Sequence, residues 1–334
     1  MNEEPKQSPD PIAKLLKIID EVQEAMKIRF LVVHRRPDTD AWLCLWLACK
    51  FIPKAQGAQI VFVNAGTALP GSENDPAALH FDTGGGEFDQ HGKDFPRSSS
   101  AQLMAARLGL LEDPVVRAGI SPLIELATKV DNAEPINPTS IHFLAEGYSH
   151  HFRHLPFDEK MSLIKERMFE HFDILYNQNS HAQELRREAP KHTSWQTLFN
   201  GIKIAIIFGH PEYRNAAFEE GADVVLWTQR RGNKGIDVGI QTGRESPVTL
   251  ENVAAALRRN EAEARKLNLG FNEILNYPGL DPAKVPGWFL HESNRFAACG
   301  TRTHHLPAED RTRLSPQEIQ QVLCAALENL SAQA

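Results

Sequence analysis

Apolar positions along this chain follow two rhythms, which alternate through its first half. Ile12, Leu15, Leu16, Ile19 and Val22 recur at helical spacing, which predicts an amphipathic helix from Pro11 to Met26. A β-rich run at Ile28–Val33 leads into a strongly apolar helix over Asp40–Phe51. Ala58–Val63 predicts the next strand, and His80–Thr83 a brief one ending at Gly84–Gly86. Helices follow over Ser98–Leu110 and Pro122–Val130. Strand and helix in alternation imply an α/β layer with a mostly parallel sheet.

The rhythm then changes. Phe157–Glu188 is charged and helical in pattern, with Met161, Ile164, Met168, Phe172 and Ile174 forming a broken stripe. Beyond Pro190, three strands are expected at Lys203–Phe208, Asp223–Thr228 and Ile236–Gln241, the last two joined by a hairpin turn at Arg230–Gly235. Arg230 and Arg231, at that tip, are expected to face solvent. Val253–Leu267 and Ser315–Leu330 complete the chain as helices. The expected fold is α/β: an N-terminal parallel-sheet domain over residues 1–155, a connecting helix over 156–192, and a smaller C-terminal α+β domain over 193–334. The expected active site is the cleft between the two domains.

Composition narrows the class. At 334 residues two domains are the default, and an apolar fraction of 42% is enough for real cores. The net charge of −7, with no basic block, argues against a long nucleic-acid duplex as partner and fits an enzyme acting on a small anionic substrate. Cys44, Cys49, Cys299 and Cys324 form no CxxC pair, which points to a reducing compartment without structural disulfides. The polar N-terminus lacks the apolar run of a signal peptide, and no segment approaches membrane-spanning length. A cytoplasmic location without membrane contact is expected, and a homodimer is left open.

Chemistry concentrates where apolar runs stop. The first such place is HRRPDTD, which sets His34, Asp38 and Asp40 in the loop between a strand end and a helix start, where α/β folds put their sites. Capping of the following helix by Asp38 or Asp40 is the simpler explanation of this segment alone. Asp82 precedes a triple glycine, and Asp89, Gln90 and His91 follow it; a polar hairpin tip is the alternative there. Asp131 ends a further apolar helical run. Four segments, each placing Asp or His just after an apolar element, together suit a hard-to-borderline divalent cation such as Mn²⁺, Mg²⁺, Fe²⁺ or Zn²⁺.

These residues carry a family resemblance. His34–Ala41 (HRRPDTDA) resembles the first motif of the DHH phosphoesterase superfamily, and Asp82, Asp89-Gln90-His91 and Asp131 stand where its second, third and fourth motifs belong. DTGGGEFDQHG and KVDNAEP most resemble the branch containing the melanocyte-proliferating-gene-1 exonucleases, and Gly287–Thr303 is similar to that branch's C-terminal segment. The resemblance implies a two-metal phosphoester hydrolase using Mn²⁺ or Mg²⁺. One ion would be held by His34, Asp38 and Asp82, the other by Asp40, Asp82, Asp131 and a third-motif histidine. Asp89, His91 and Arg36 would take part in catalysis. Nucleotides or short single-stranded oligonucleotides would be the substrates, met by Arg35, Gln90, His291, Arg295, Arg302 and His304.

One position departs from the family pattern. The first histidine of Asp-His-His is Gln90 here, and an amide is a weaker ligand than imidazole. Either His91 takes the metal role, or the second site is weakened, altered or lost. A phosphatase or pyrophosphatase of small molecules and a catalytically reduced binding protein are the competing expectations. Arg35 and Arg36 would clamp a phosphate or lie solvated at a helix edge. The His150, His151 and His154 group is read as surface polar residues.

Overall fold

A computed structural model describes residues 27–72, 75–91, 97–232, 235–267, 287–300 and 306–328. The helix expected at Pro11–Met26 lies outside them. Strands β1 (Phe30–His34), β2 (Gln59–Val63) and β3 (Ala78–His80) form a three-stranded parallel sheet in the order β2-β1-β3, with helix α1 (Thr39–Phe51) crossing from β1 to β2. Helices α2 (Ser100–Arg107), α3 (Pro114–Asp131), α4 (Ile141–His151) and the 36-residue α5 (Phe157–His192) follow. Strands β4 (Thr193–Thr197) and β5 (Lys203–Phe208), helix α6 (Arg214–Glu219), strands β6 (Val224–Arg230) and β7 (Ile236–Thr242), helix α7 (Glu251–Ala264), strands β8 (Phe289–Leu290) and β9 (Phe296–Cys299), and helix α8 (Pro316–Glu328) complete the order. The chain forms two compact units that meet at Gln183 and Glu184, so the division falls inside α5 and not at either end of it.

In the first unit, β1 is the central strand, with Leu31, Val32 and Val33 fully buried. Its last residue, His34, pairs in register with Val63 and ends at the carboxyl edge of the sheet. Helix α1 is buried from Thr39 to Ala48, because its apolar residues run all round and not along one stripe. Trp42 and Trp46 fill the core with Phe81, Phe172 and Met104. Helix α3 starts eight residues before the expected Pro122. Asp113 caps it by accepting from the Val115 and Val116 N–H groups, Pro114 occupies the first turn, and Pro122 is carried inside. Gly119 lets α3 approach α5, since a Cβ there would lie 2.3 Å from Ser180 Oγ.

In the second unit, six strands form a mixed sheet in the order β4-β5-β6-β7-β9-β8, in which only the β5–β6 pair is parallel. Ile204 and Ile206 join one hydrophobic cluster, and Ala205 and Ile207 another. Burial on both faces is why KIAIIF reads as a continuous apolar run. Strands β4, β8 and β9 are absent from the sequence expectation, the first because TSWQT is polar and the others because they are short. Arg231 is exposed, as expected, and its Nε also donates to Asp237 Oδ2 at 2.6 Å. Among the described residues, no helix is long and apolar enough to cross a membrane.

Candidate metal centre

The first unit brings His34, Asp38 and Asp82 together, each offering one ligand atom within 4.8 Å of the others. Three separate pieces of local structure do this. His34 stands at the end of β1. Asp38 caps α1, with Oδ1 accepting from the Asp40 and Ala41 N–H groups at 2.9 and 3.1 Å, which leaves Oδ2 clear of the cap. Capping therefore occupies one oxygen of this carboxylate and does not by itself exclude a ligand role for the other. Asp82 follows β3 with φ of +54°, a left-handed conformation uncommon for a residue with a Cβ. Its N–H is held by the Phe88 carbonyl and by Ser100 Oγ, each at 3.1 Å. Strain of this kind persists where surrounding contacts fix it, and here they aim the carboxylate at His34, whose Nε2 lies 3.1 Å from Asp82 Oδ2.

The other acidic residues lie around this trio. Asp40 is fully buried, and its two oxygens accept from the Ser100 and Ala101 N–H groups at the start of α2, at 2.8 and 2.9 Å. It does not line the cavity described below. The Asp40 carboxyl also acts on that of Asp131, and two neighbouring carboxyls favour a proton held on one of them. Gln90 Nε2 donates to Asp82 Oδ1 at 2.9 Å and to Asp131 Oδ2 at 3.1 Å, so its two protons serve two carboxylates. Gln90 Oε1 faces Ser100 Oγ at 2.5 Å, while the Phe88 carbonyl lies 2.6 Å from the same hydroxyl, whose single proton serves one of them at a time.

Asp89 is buried and engaged by its own loop. Its oxygens accept from the Gly85 and His91 N–H groups and meet His91 Nδ1 at 2.9 Å. A carboxylate on one ring nitrogen fixes the imidazole and leaves the other nitrogen available. His91 Nδ1 also lies 3.6 Å from Asp82 Oδ1, and the ring is mostly exposed. Gly84 (φ +78°) turns the loop under His80, where a Cβ would come within 3.1 Å of that ring.

Electrostatics mark the cluster. Burial first, then the charges of Asp40, Asp38 and Asp82, push the Asp131 carboxyl up to about 9. Burial and the Asp82 charge push Asp40 up to about 7, against the lowering effect of the α2 N–H groups. Asp38 is raised by burial and by Asp82. Burial draws His34 down, but the Asp82 hydrogen bond and the Asp82, Asp38 and Asp40 charges outweigh it, so this imidazole is raised. Asp89 is lowered, because its accepted hydrogen bonds outweigh its burial. Among the described residues, no lysine or arginine forms an ion pair with Asp38, Asp40, Asp82 or Asp131. The donor set of one imidazole and two carboxylates at the trio, without a lysine or arginine paired to it among the described residues, fits a divalent metal.

A cavity of about 710 Å³ opens on the trio, lined also by Asp89, Gln90, His91, Asp131 and Arg97. Arg97 is absent from the sequence expectation. It is exposed, adopts a left-handed φ of +68° and forms no ion pair among the described residues. Its sole signal in the sequence is an arginine placed just before the serine run that starts α2. Arg35 and Arg36 do not line this cavity; they line a neighbouring one that shares Asp38. In the second unit, Arg295 donates to the Gly243 and Arg244 carbonyls and His291 Nδ1 lies 2.9 Å from Ser293 Oγ, so both have partners close by. Arg302 and His304 lie outside the described residues. No protein-family model and no curated protein matches this sequence.

Proposed function

We propose that the first unit is the catalytic centre of a metal-dependent phosphoester hydrolase acting on nucleotides or short single-stranded oligonucleotides. The observation that carries this reading is the convergence of His34, Asp38 and Asp82 from two chain segments on one cavity, together with their motif resemblance to the DHH phosphoesterases. In this reading the three side chains hold one Mn²⁺ or Mg²⁺. A bound ion of this type supplies Lewis acidity toward a phosphoryl oxygen and lowers the pKa of water.

The protein's own residues divide the remaining work. Asp82 ligates from its strained position while accepting from Gln90. His91, oriented through Nδ1 by Asp89, faces the cavity as the group that moves a proton between water and leaving group. Arg97 at the rim meets the phosphate, a role that the sequence reading gave to other arginines. Gln90 donates to Asp82 and Asp131 from the position where the resemblance would put a ligand of the second ion. This favours a single-ion centre. The same observation favours a second reading, a ligand-binding descendant with reduced catalysis.

The test is Mn²⁺ stoichiometry by calorimetry, alongside hydrolysis of a labelled oligoribonucleotide and of nucleotides. One ion per chain, Mn²⁺-dependent shortening of the oligomer, and loss of both in Asp82→Ala are expected. Phosphate release from nucleotides alone would make the protein a small-molecule phosphatase. Metal binding with no hydrolysis of either would leave the binding-protein reading.

A further inference from the structure

A second cavity, of about 490 Å³, lies beside the metal cavity and shares Asp38 as its wall. Its rim carries three cations: Arg35 and Arg36 from the loop after β1, and Lys160 from the first turn of α5. The Arg36 and Lys160 side chains form no ion pair among the described residues. The Arg35 guanidinium lies 4.9 Å from the centroid of the Phe157 ring, which braces it and leaves its N–H groups without acceptors among the described residues. The acidic groups on this cavity are Glu146, which is exposed, and Asp38, one of whose oxygens is taken up by the α1 cap. The floor is apolar, made by Trp42, Ala145, Met161 and Ile164. His142 lies at the side, its Nδ1 3.0 Å from Thr39 Oγ1 at the start of α1.

Three cations without acidic partners above an apolar floor suit a ligand with an anionic head and an apolar or aromatic body. We propose that this cavity binds a phosphate monoester of that kind, with its phosphate on Arg36 and Lys160 and its body on the Trp42–Met161 floor. The assignment does not depend on the metal-centre reading, because the two cavities have different linings apart from Asp38.

Metal-free conditions separate the two sites. Without a metal ion, the carboxylates around Asp82 disfavour phosphate in the first cavity, and Arg97→Ala removes the arginine lining it, so binding that this variant keeps in the presence of EDTA reports the second cavity. Phenyl phosphate is titrated into the full chain and followed by ³¹P NMR. Saturable binding is expected, weakened about tenfold by Arg36→Ala and by Lys160→Ala, the loss of a charge-assisted hydrogen bond. Asp82→Asn should bind as the wild type does, and inorganic phosphate should bind more weakly than phenyl phosphate. Unchanged thermal unfolding of the two alanine variants would show that they fold, and Arg36→Lys should retain binding if either does not. No binding by the wild type, wild-type affinity in both alanine variants, equal loss in Asp82→Asn, or equal affinity for the two ligands would each overturn the proposal.

Discussion

Both units bury acidic side chains, but they neutralise them in different ways. In the second unit Asp237 is nearly inaccessible and meets two guanidiniums, Arg311 Nη1 at 2.5 Å and Arg231 Nε at 2.6 Å. Glu261 there is fully buried and bonded to Arg265 Nε at 2.9 Å, the Arg313 N–H at 2.9 Å, Thr312 Oγ1 and Trp288 Nε1. In the first unit Asp40, Asp82 and Asp131 have no guanidinium or ammonium partner among the described residues, and are held by backbone N–H groups, Gln90 and a raised His34. The second arrangement is complete within the chain. The first is short of positive charge, which is the condition a bound cation would relieve.

The largest expected effect breaks the paired acids. Asp237→Ala leaves Arg311 buried without its partner and should cost about 3–5 kcal/mol in denaturant unfolding. Asp131→Asn, in the metal-free protein, should be neutral or stabilising, because it removes one of several crowded carboxyls and keeps a donor toward Asp40. Equal destabilisation by the two changes would erase the distinction between the units.

Metal addition should act on one side alone. At about 100 times its Kd, Mn²⁺ should stabilise the protein by about 2.7 kcal/mol. Asp82→Ala should abolish this, read as a lost shift in thermal unfolding. A full shift in that variant would remove Asp82 from the ligand set.

A smaller, graded effect comes from pH. Asp131 and Asp40 are raised to about 9 and about 7 in the folded chain, while ordinary carboxyls titrate near 3.9 when unfolded. Between those values the folded state holds more protons than the unfolded one, so stability falls as pH rises. The contribution is complete below about pH 4 and is lost as pH climbs through 7 to 9. Metal-free protein should therefore show declining stability over that range, and Asp131→Asn should flatten the decline. Bound Mn²⁺ should reverse the slope, since ligation favours deprotonated carboxylates. Stability independent of pH in EDTA would contradict the crowding.

The most local prediction concerns Gln90. Gln90→His replaces the amide that bridges Asp82 and Asp131 with an imidazole, and should raise Mn²⁺ stoichiometry from one toward two per chain. An unchanged ratio would mean that Asp40, committed to the α2 N–H groups, limits the second site.

Much of this was legible in the sequence. The chain marks β1, α1, β2, β5, β6 and β7 through apolar periodicity, because burial on one or both faces leaves a regular imprint. His34 and Asp38 could be found because a strand end and a helix cap are local features, separated by four residues. Pro122 misplaced the start of α3, since tertiary packing tolerates a proline that local rules treat as a boundary. Strand β4 was hidden because an edge strand can be polar and take its stability from hydrogen bonds to β5.

By itself, then, the sequence determined the mixed α/β class, the strand-end position of His34, a helix cap at Asp38 or Asp40 and the residue types from which a metal site could be made. The tertiary structure decided which of them share a cavity. Asp40 and the Ser100 N–H are 60 residues apart, Gln90 and Asp131 are 41 apart, and Asp237 and Arg311 are 74 apart. No local rule relates such positions. Their hydrogen bonds depend on the path of the backbone between them, and that path is set by packing of the whole core.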